Sequence, residues 1–240
     1  MNSYQYLAEI YDAFLYDTDY AKWAAYLQTL LRDRGVHPGA QLLECACGTG
    51  NLTQYLCKKY DVIALDKMPQ MLELARTKPM GNTCFVCADM AEFVRENKAQ
   101  AVVCAMDGVN YLKDAKPFFR CAYQNLLPGG TLLFDISTAY KLQEVIGSEV
   151  FFEDADEATL LWTNACRNDC TIMNITLFLP QENGLYERRD EQHVQYIHTV
   201  QELKADLEAC GFCEIHAYGF GTTDTPKKTE QRIQFCAKRG

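Results

Sequence analysis

The stretch Leu42-Leu43-Glu44-Cys45-Ala46-Cys47-Gly48-Thr49-Gly50 decides the fold of this 240-residue chain. An apolar run ends in a glycine-rich turn, and the residues after the turn have helical character. Gly48 and Gly50 can adopt a positive φ and lack a Cβ, so the backbone can bend sharply and place its N–H groups against a ligand. The order of strand, glycine turn and helix predicts a nucleotide-like cofactor site.

A second signal follows at the next predicted strand. The apolar run Val62–Leu65 ends in Asp66. An acidic residue at a second strand end, roughly twenty residues after the glycines, is placed to accept hydrogen bonds from ribose hydroxyls. The two signals together predict a cofactor that contains a ribose.

The details of the turn indicate which cofactor this is. Thr53 holds the place of the third glycine that a dinucleotide turn needs for close packing around a pyrophosphate. Glu44, near the end of the first strand, would repel phosphates but could hold an ammonium group. S-adenosylmethionine carries an ammonium, a sulfonium and a ribose, and it has no phosphate. We therefore predict S-adenosylmethionine as the cofactor.

The chain resembles the class I S-adenosylmethionine-dependent methyltransferases, whose first motif is an acidic residue followed by x-G-x-G. Four further motifs continue the resemblance in order. They are Asp66-Lys67-Met68-Pro69-Gln70-Met71-Leu72, Ala88-Asp89-Met90, Val102-Val103-Cys104-Ala105-Met106-Asp107 and Leu127-Pro128-Gly129-Gly130-Thr131-Leu132. The stretch 107–112 is similar to bacterial small-molecule methyltransferases, including those that dimethylate sugar amines.

The resemblance implies roles for individual residues. Asp66 would hold the ribose, Asp89 the adenine amino group and Met90 the adenine face. Gly48 with Ala46 would contact the methionine end, and Ala105 would contribute backbone near the sulfonium. The full set of cofactor-binding residues that we predict is Tyr11, Glu44, Ala46, Cys47, Gly48, Gly50, Asp66, Lys67, Asp89, Met90 and Ala105.

Strand and helix patterns alternate through the first part of the chain. The predicted strands are 41–46, 61–66, 83–88, 101–106 and 130–136, and the predicted helices are 5–33 (one or two helices), 51–59, 69–77, 90–96 and 114–126. Two final strands, 213–218 and 232–237, follow a helix at 200–210. This order predicts an α/β fold: a Rossmann-like, mostly parallel sheet of seven strands with helices on both faces.

The alternation breaks after Asp135. A helix near 139–146 precedes three strand-like runs, Thr159–Cys166, Thr171–Leu179 and Leu185–Ile197, which predict a three-stranded antiparallel insertion. We therefore assign residues 1–137 and 199–240 to the cofactor-binding domain and 138–198 to the insertion. The resemblance implies that residues 1–33 form a helical lid and that the insertion covers the substrate site.

Three residues are predicted to take part in catalysis. Asp107 is expected at the carboxyl end of the fourth strand, facing the methyl group, with Tyr111 close behind. Asp107-Gly108 is also a common turn dipeptide, so a purely structural role is the alternative. The third residue, His193, lies on the polar face of the last insertion strand, which is either exposed to solvent or forms the roof of the active site. In the second case His193 could take a proton from the acceptor.

Charge and composition limit the partners and the location. The formal net charge of -9 argues against sequence-independent binding to the phosphate backbone of a nucleic acid. No signal peptide or long apolar run is present, and the twelve cysteines are expected to be free thiols, so we predict a cytoplasmic protein that does not bind membranes. No metal site is predicted. The insertion could instead pair with a second subunit, which would give a homodimer.

The predicted function is methyl transfer from S-adenosylmethionine to a nitrogen or oxygen of a small-molecule acceptor by in-line displacement. Three alternatives stay open at this point. They are a nicotinamide-dependent oxidoreductase, a binding module that keeps the cofactor but has lost turnover, and an RNA or protein methyltransferase with a local basic patch such as Lys227, Lys228 and Arg232.

Overall fold

The computed structural model describes residues 7–14, 18–147 and 149–240, without the side chains of Glu9, Ala13 and Phe14. Residues 1–6 and 15–17, part of the predicted lid, lie outside the described residues. The described part of the chain forms one sheet of seven strands and a second sheet of four strands.

The strands and helices follow the predicted order closely. The strands are β1 (Gln41–Cys45), β2 (Asp61–Asp66), β3 (Cys84–Cys87), β4 (Ala99–Cys104), β5 (Leu126–Ser137), β6 (Val150–Asp154), β7 (Thr159–Cys166), β8 (Cys170–Pro180), β9 (Tyr186–Tyr196), β10 (Phe212–Gly219) and β11 (Arg232–Arg239). The α-helices are α1 (Tyr11–Phe14), α2 (Tyr20–Asp33), α3 (Thr53–Leu56), α4 (Pro69–Thr77), α5 (Lys116–Asn125) and α6 (Val200–Ala209). Two 3-10 turns (Leu7–Ile10 and Gly108–Tyr111) and a π-helical segment (Tyr140–Val145) complete the described elements.

The seven-stranded sheet has the order β10-β11-β5-β4-β1-β2-β3. Strands β1 to β5 pair in parallel, whereas β11 is antiparallel to both β5 and β10. This confirms the predicted Rossmann-like, mostly parallel sheet. From β1 the chain first builds one side of the sheet and then the other, so the crevice for a ligand lies at the carboxyl end of β1.

Both faces of this sheet are covered by helices. Leu43 belongs to an apolar cluster with Phe118 of α5 and Leu207 of α6, whereas Leu42 packs on the other side with Leu27 of α2. Neighbouring strand residues alternate between the two clusters because successive side chains point to opposite faces. A capping box between Thr199 and Glu202 fixes the start of α6.

The second sheet corrects the predicted insertion, which has four strands and not three. The additional strand is β6, which pairs with β7 and places Phe151 against Trp162 with 4.8 Å between ring centroids. β6 lies at the sheet edge and most of it is exposed. The prediction missed it because a short exposed edge strand carries no apolar and polar alternation.

Two predicted helices differ from the structure. Only residues 53–56 of the predicted helix 51–59 are α-helical, and two hydrogen bonds in this stretch, Tyr55 to Leu52 and Lys59 to Leu56, span three residues instead of four. Residues 90–96 form no helix, since the Asp89 side chain accepts from the Ala91 amide and holds a turn there. Of the helices within the described residues, none has the length and apolar character needed to cross a bilayer.

The N-terminal segment 7–14 joins the two sheets. Leu7 and Ile10 pack against apolar side chains of β7 and β8 in the second sheet. At its other end, Asp12 accepts hydrogen bonds from Thr49 (2.7 Å) and Asn51 (2.8 Å) of the glycine turn. The segment is therefore fastened to the second sheet at one end and to the cofactor turn at the other.

A buried ion cluster holds the carboxyl ends of β4 and β5. Asp135, which is fully buried, accepts the backbone N–H groups of Met106 (2.8 Å) and Asp107 (2.9 Å). The Arg232 guanidinium of β11 pairs with both Asp135 and Asp107. Met106 and Asp107 have φ values of 59° and 56°, a left-handed conformation that costs free energy in residues other than glycine. The Asp135 carboxylate compensates by fixing this bend.

We expect Asp135→Asn to lower the free energy of unfolding by about 3 kcal/mol, because it removes a charge that Arg232 needs in a buried cluster. Urea denaturation at pH 7, followed by circular dichroism, measures this change. Asp33→Asn is the matched control, because Asp33 is exposed and should shift the free energy by less than about 0.5 kcal/mol. Equal urea midpoints for the two variants would contradict the role of the ion cluster.

Candidate active site

A cavity of about 340 Å³ lies at the carboxyl ends of β1, β2 and β4, beneath the N-terminal segment. Its volume falls in the range of about 300–1,000 Å³ that is typical of ligand sites. The structure brings to this one cavity every predicted cofactor-binding residue except Gly50. These residues are Tyr11, Glu44, Ala46, Cys47, Gly48, Asp66, Lys67, Asp89, Met90 and Ala105.

Glu44 is the most unusual group in the cavity wall. It is only 2% exposed, and its Oε2 atom has no hydrogen-bond partner among the described residues. Burial raises the pKa of this carboxyl to about 7. A buried carboxyl oxygen without a partner is costly unless a ligand completes it. An ammonium group in the cavity would supply both the missing hydrogen bond and the compensating charge.

Asp66 and Asp89 present carboxylates that the backbone holds in place. Asp66 accepts the N–H groups of Gly48 (2.9 Å) and Met68 (2.8 Å), and burial raises its pKa despite these bonds. Asp89 accepts from the Ala91 amide (2.9 Å) and from Lys67 Nζ (2.8 Å). Although burial acts to raise the pKa of Asp89, the Lys67 hydrogen bond lowers it overall. Each carboxylate can still accept further hydrogen bonds from hydroxyl or amino groups of a ligand.

The ends of β1 and β4 pack closely around Gly108 and form the floor of the cavity. A Cβ on Gly108 would lie 2.8 Å from Cys104 Sγ and 3.0 Å from the Ala46 Cβ, so only glycine fits between the ends of β1 and β4. Gly50 does not line the cavity. Gly50 has a φ of 76°, which L side chains rarely adopt, so it serves the bend of the turn, and its contact with the cofactor stays a prediction.

Tyr111 and His193, which were predicted separately as catalytic residues, are in contact in the structure. The Tyr111 hydroxyl lies 3.1 Å from His193 Nδ1, and Tyr111 also lines the cavity. On its other side, His193 Nε2 lies 3.1 Å from Glu191 Oε2. Because His193 is 2% exposed and Glu191 is 3% exposed, this part of the polar face of β9 turns inward and is not exposed to solvent.

Asp107 occupies a different position. Its carboxylate pairs with Arg232 and accepts a hydrogen bond from Gln195, and it is absent from the lining of the cavity. Burial acts to raise the pKa of Asp107, but the Arg232 charge lowers it overall. A carboxylate that is already paired is a poor proton acceptor, so the geometry favours the structural alternative, and the catalytic role of Asp107 stays a prediction. Arg232 pairs with two carboxylates in this cluster and only 14% of its side chain is exposed, so it does not extend the basic patch of Lys227 and Lys228.

The sequence interpretation missed several residues of the site. Tyr20, Thr49, Asn51, Leu52, Met71 and Leu112 also line the cavity. Their types are common in protein cores, so nothing in the sequence marks them. Glu191 could have been found, because it lies two residues before His193 on the same face of a strand.

The residues present fit S-adenosylmethionine. The unpartnered Glu44 oxygen suits an ammonium, and the Asp66 carboxylate at the end of β2 suits ribose hydroxyls. Glu44, Asp66 and Asp89 place three acids in the wall, which disfavours a phosphate. Within the described residues, no group of three or more His, Cys, Asp or Glu side chains is arranged to hold a metal ion.

Comparison with known proteins agrees with this site. Residues 42–130 match the family described as a methyltransferase domain. The chain is 29% identical to YqeM of Bacillus subtilis, a protein provisionally named as a methyltransferase, over 98% of this chain and 97% of that protein. A shorter match, 31% identical over 53% of this chain and 56% of the relative, is the dTDP-3-amino-3,4,6-trideoxy-alpha-D-glucopyranose N,N-dimethyltransferase of Streptomyces venezuelae.

A solved structure extends the agreement to the whole fold. The chain is similar to an S-adenosylmethionine-dependent methyltransferase from Clostridium acetobutylicum, with 29% identity, complete coverage of both chains and a TM-score of 0.86. The two folds therefore correspond from the N-terminal segment to the last strand. On the combined ground of sheet topology, cavity chemistry and these relatives, this chain is an S-adenosylmethionine-dependent methyltransferase.

Proposed function

We propose that this enzyme transfers a methyl group from S-adenosylmethionine to a nitrogen or oxygen of a small-molecule acceptor by in-line displacement. The observation that carries the proposal is the position of Tyr111, which lines the cavity and contacts His193. Tyr111 therefore borders the same space as the carboxylates suited to the cofactor, with the His193 imidazole in contact behind it.

Each part of the cavity has a defined task in this proposal. Glu44 binds the ammonium of the methionine end, Asp66 binds the ribose and Asp89 binds the adenine amino group. When bound, S-adenosylmethionine supplies a methyl group on a positively charged sulfur. The protein mainly aligns the acceptor with that methyl group, a contribution worth about 7–11 kcal/mol in well-oriented reactions.

The enclosure of the cavity supports a small acceptor. Segment 7–14 covers it, with Tyr11 in its wall, and packs on the second sheet through Leu7 and Ile10. We propose that this segment is part of a lid formed by residues 1–33, and that the insertion at 138–198 closes the acceptor side. A long polymer would have to displace the segment to reach Tyr111.

Other features support the acceptor class and the location. The Streptomyces venezuelae relative is named for methylation of an amino sugar, which is a small acceptor with a nitrogen nucleophile. All twelve cysteines are free, which is typical of a reducing compartment such as the cytoplasm. The acidic net charge disfavours a nucleic-acid substrate. A homodimer stays a prediction.

The function is tested by calorimetric titration with S-adenosylhomocysteine and with NADH, followed by methyl-release assays against amine and hydroxyl libraries. We expect binding of S-adenosylhomocysteine alone, and turnover with at least one small acceptor. Binding of NADH in preference, or turnover with RNA or protein only, would contradict the proposal.

We expect the affinity for S-adenosylhomocysteine to fall about tenfold between pH 8 and pH 6, because protonation of Glu44, with a pKa of about 7, removes the partner of the ammonium. Glu44→Gln should bind more weakly at pH 8 and lose this pH dependence. Calorimetry at both pH values measures the effect, and an unchanged dependence in the variant would contradict it.

Thermal melting separates this loss of affinity from misfolding. The folded-state pKa of Glu44 is raised, so its ionisation destabilises the fold as pH rises from about 4.5 to 7 and above. Glu44→Gln removes this penalty. The cofactor-free variant should therefore melt at a higher temperature than the wild-type protein at pH 8, and at a similar temperature near pH 4.5.

We expect Tyr111→Phe to lower kcat by about 10²-fold, because phenylalanine keeps the ring but cannot accept or pass on a proton. The affinity for S-adenosylhomocysteine should stay within about twofold of the wild-type value, as measured by calorimetry. Tyr123→Phe is the matched control, because Tyr123 lies on α5 and packs against Phe212 away from the cavity. Equal kcat values for Tyr111→Phe and the control would exclude Tyr111 from the chemistry.

A further inference from the structure

We infer that the protein has a second binding site, which takes a small organic phosphate, in a cavity between the start of α6, the edge strand β10 and the loop 220–231. The inference goes beyond the proposed methyl transfer, and no described residue lines both this second cavity and the cofactor cavity. Three sets of observations carry it: the shape of the second cavity, its apolar floor and its cationic rim.

The second cavity has the size of a small-molecule site. Its volume is about 630 Å³, within the range of about 300–1,000 Å³ that is typical of ligand pockets. His198 lines the second cavity, and its Nε2 lies 2.9 Å from the carbonyl oxygen of Leu112, which lines the cofactor cavity. The two cavities are therefore neighbours, with separate walls.

Hydrogen bonds hold the loop 220–231 at both ends. Near its start, the Tyr26 hydroxyl donates to the carbonyl oxygen of Thr222 at 2.7 Å. Near its end, the Thr138 hydroxyl donates to the carbonyl oxygen of Glu230 at 2.6 Å. The wall that this loop contributes is therefore formed in the ligand-free protein, which lowers the entropic cost of binding.

The floor of the second cavity is apolar. Ile136 of β5 and Ile233 of β11 belong to the apolar cluster that joins α5 and α6 to the sheet. Val200, Ile215 and Ala217 pack against the same cluster and are only half-buried. An organic group that covers this surface removes it from water, whereas an inorganic ion leaves it wet. The floor therefore favours a ligand with an apolar body.

Three lysines form the rim of the second cavity: Lys204 on α6, and Lys227 and Lys228 on the loop. Within the described part of the chain, none of these ammonium groups makes an ion pair or a hydrogen bond. Glu230 is the one acid among the described residues of this lining. Lysine ammonium groups bind phosphate as compact point charges. Three unpaired cations against one acid favour a ligand with more than one negative charge.

Other acids near the rim do not cancel the lysines. On α6, Glu202 is bound to Thr199 in the capping box, and Asp206 pairs with Lys116 at 3.0 Å. Asp224 on the loop is exposed and lies outside the lining. The rim therefore keeps a positive charge in a protein whose formal net charge is -9, and it attracts anions to this one place.

A small organic phosphate suits the floor and the rim together. Its phosphate groups would lie at the three lysines, while its organic body would cover the isoleucines. A nucleoside diphosphate and an isoprenoid diphosphate both carry this chemistry, and they differ only in the body that the floor would bind.

Calorimetric titration with uridine diphosphate, dimethylallyl diphosphate and inorganic pyrophosphate tests the site in protein saturated with S-adenosylhomocysteine. We expect one of the two organic diphosphates to bind more tightly than pyrophosphate, and the tighter of the two identifies the body. Its affinity should fall as the salt concentration rises, because salt screens exposed charges. Binding of neither organic diphosphate, or binding of pyrophosphate as tight as that of both, would overturn the inference.

The same titration without S-adenosylhomocysteine shows which cavity is filled. We expect equal affinity for the preferred diphosphate in the free protein and in the complex. A diphosphate that binds the free protein but not the complex would occupy the cofactor cavity, and that result would overturn the inference. The titration of the free protein does not depend on the proposed function.

The double variant Lys227→Gln with Lys228→Gln tests the rim. Both side chains are exposed, so the fold should be unaffected, and the affinity for the preferred diphosphate should fall at least about tenfold. Lys58→Gln with Lys59→Gln is the matched control, because this exposed lysine pair lines neither cavity and its removal changes the net charge equally.

The control should bind within about twofold of the wild-type protein. Equal losses in the two double variants would indicate a general charge effect and overturn the site. Tighter binding of a uridine oligonucleotide than of either organic diphosphate, with the same dependence on Lys227 and Lys228, would assign the rim to a nucleic acid and also overturn it.

Discussion

Buried carboxylates at the carboxyl edge of the parallel sheet must find partners, and this requirement organises the whole site. Asp135 is satisfied by two backbone amides and Arg232, and the bend after β4 depends on these bonds. Asp66 accepts hydrogen bonds from the backbone amides of Gly48 and Met68, which satisfy it in part. Glu44 alone among these three keeps an oxygen without a described partner. The first acid builds the site, and the other two are left for a ligand.

The same requirement links the cover of the cavity to its chemistry. Glu191 is buried, its Oε2 lies 3.1 Å from Nε2 of His193 on its own strand, and its Oε1 accepts a hydrogen bond from the backbone N–H of Leu7 in the N-terminal segment. Asp12 fastens the same segment to the glycine turn through Thr49 and Asn51. The segment therefore contacts both the cofactor end and the acceptor end of the cavity.

The sequence allowed most of the cofactor side of the site to be predicted, because that side is built from local signals. The glycine turn and Asp66 each follow a strand directly, and parallel strands bring such residues to one edge. The acceptor side depends on contacts between distant segments: Tyr111 and His193 are 82 residues apart, and Arg232 lies 125 residues from Asp107. These pairs form because the second sheet and β11 pack against this edge of the first sheet. The spacing of apolar residues in the sequence does not predict such contacts between distant segments.

The points that the sequence interpretation missed or left open have related causes. β6 is an exposed edge strand, so burial imposes no alternation on it. Asp107 has the right residue type at the right strand end, but the distant cation Arg232 already neutralises it. Conversely, the polar face that includes His193 was compatible with exposure to solvent until the fold placed it inward. In each case a partner far away in the sequence decides the role of the residue.

A crystal structure of the complex with S-adenosylhomocysteine tests the central claim most directly. The account predicts that the amino group of the ligand lies within about 3.2 Å of Glu44 Oε2, with its ribose hydroxyls on Asp66 and its sulfur directed toward the Tyr111 side of the cavity. A ligand whose amino group lies away from Glu44, or whose sulfur is directed away from Tyr111, would contradict it.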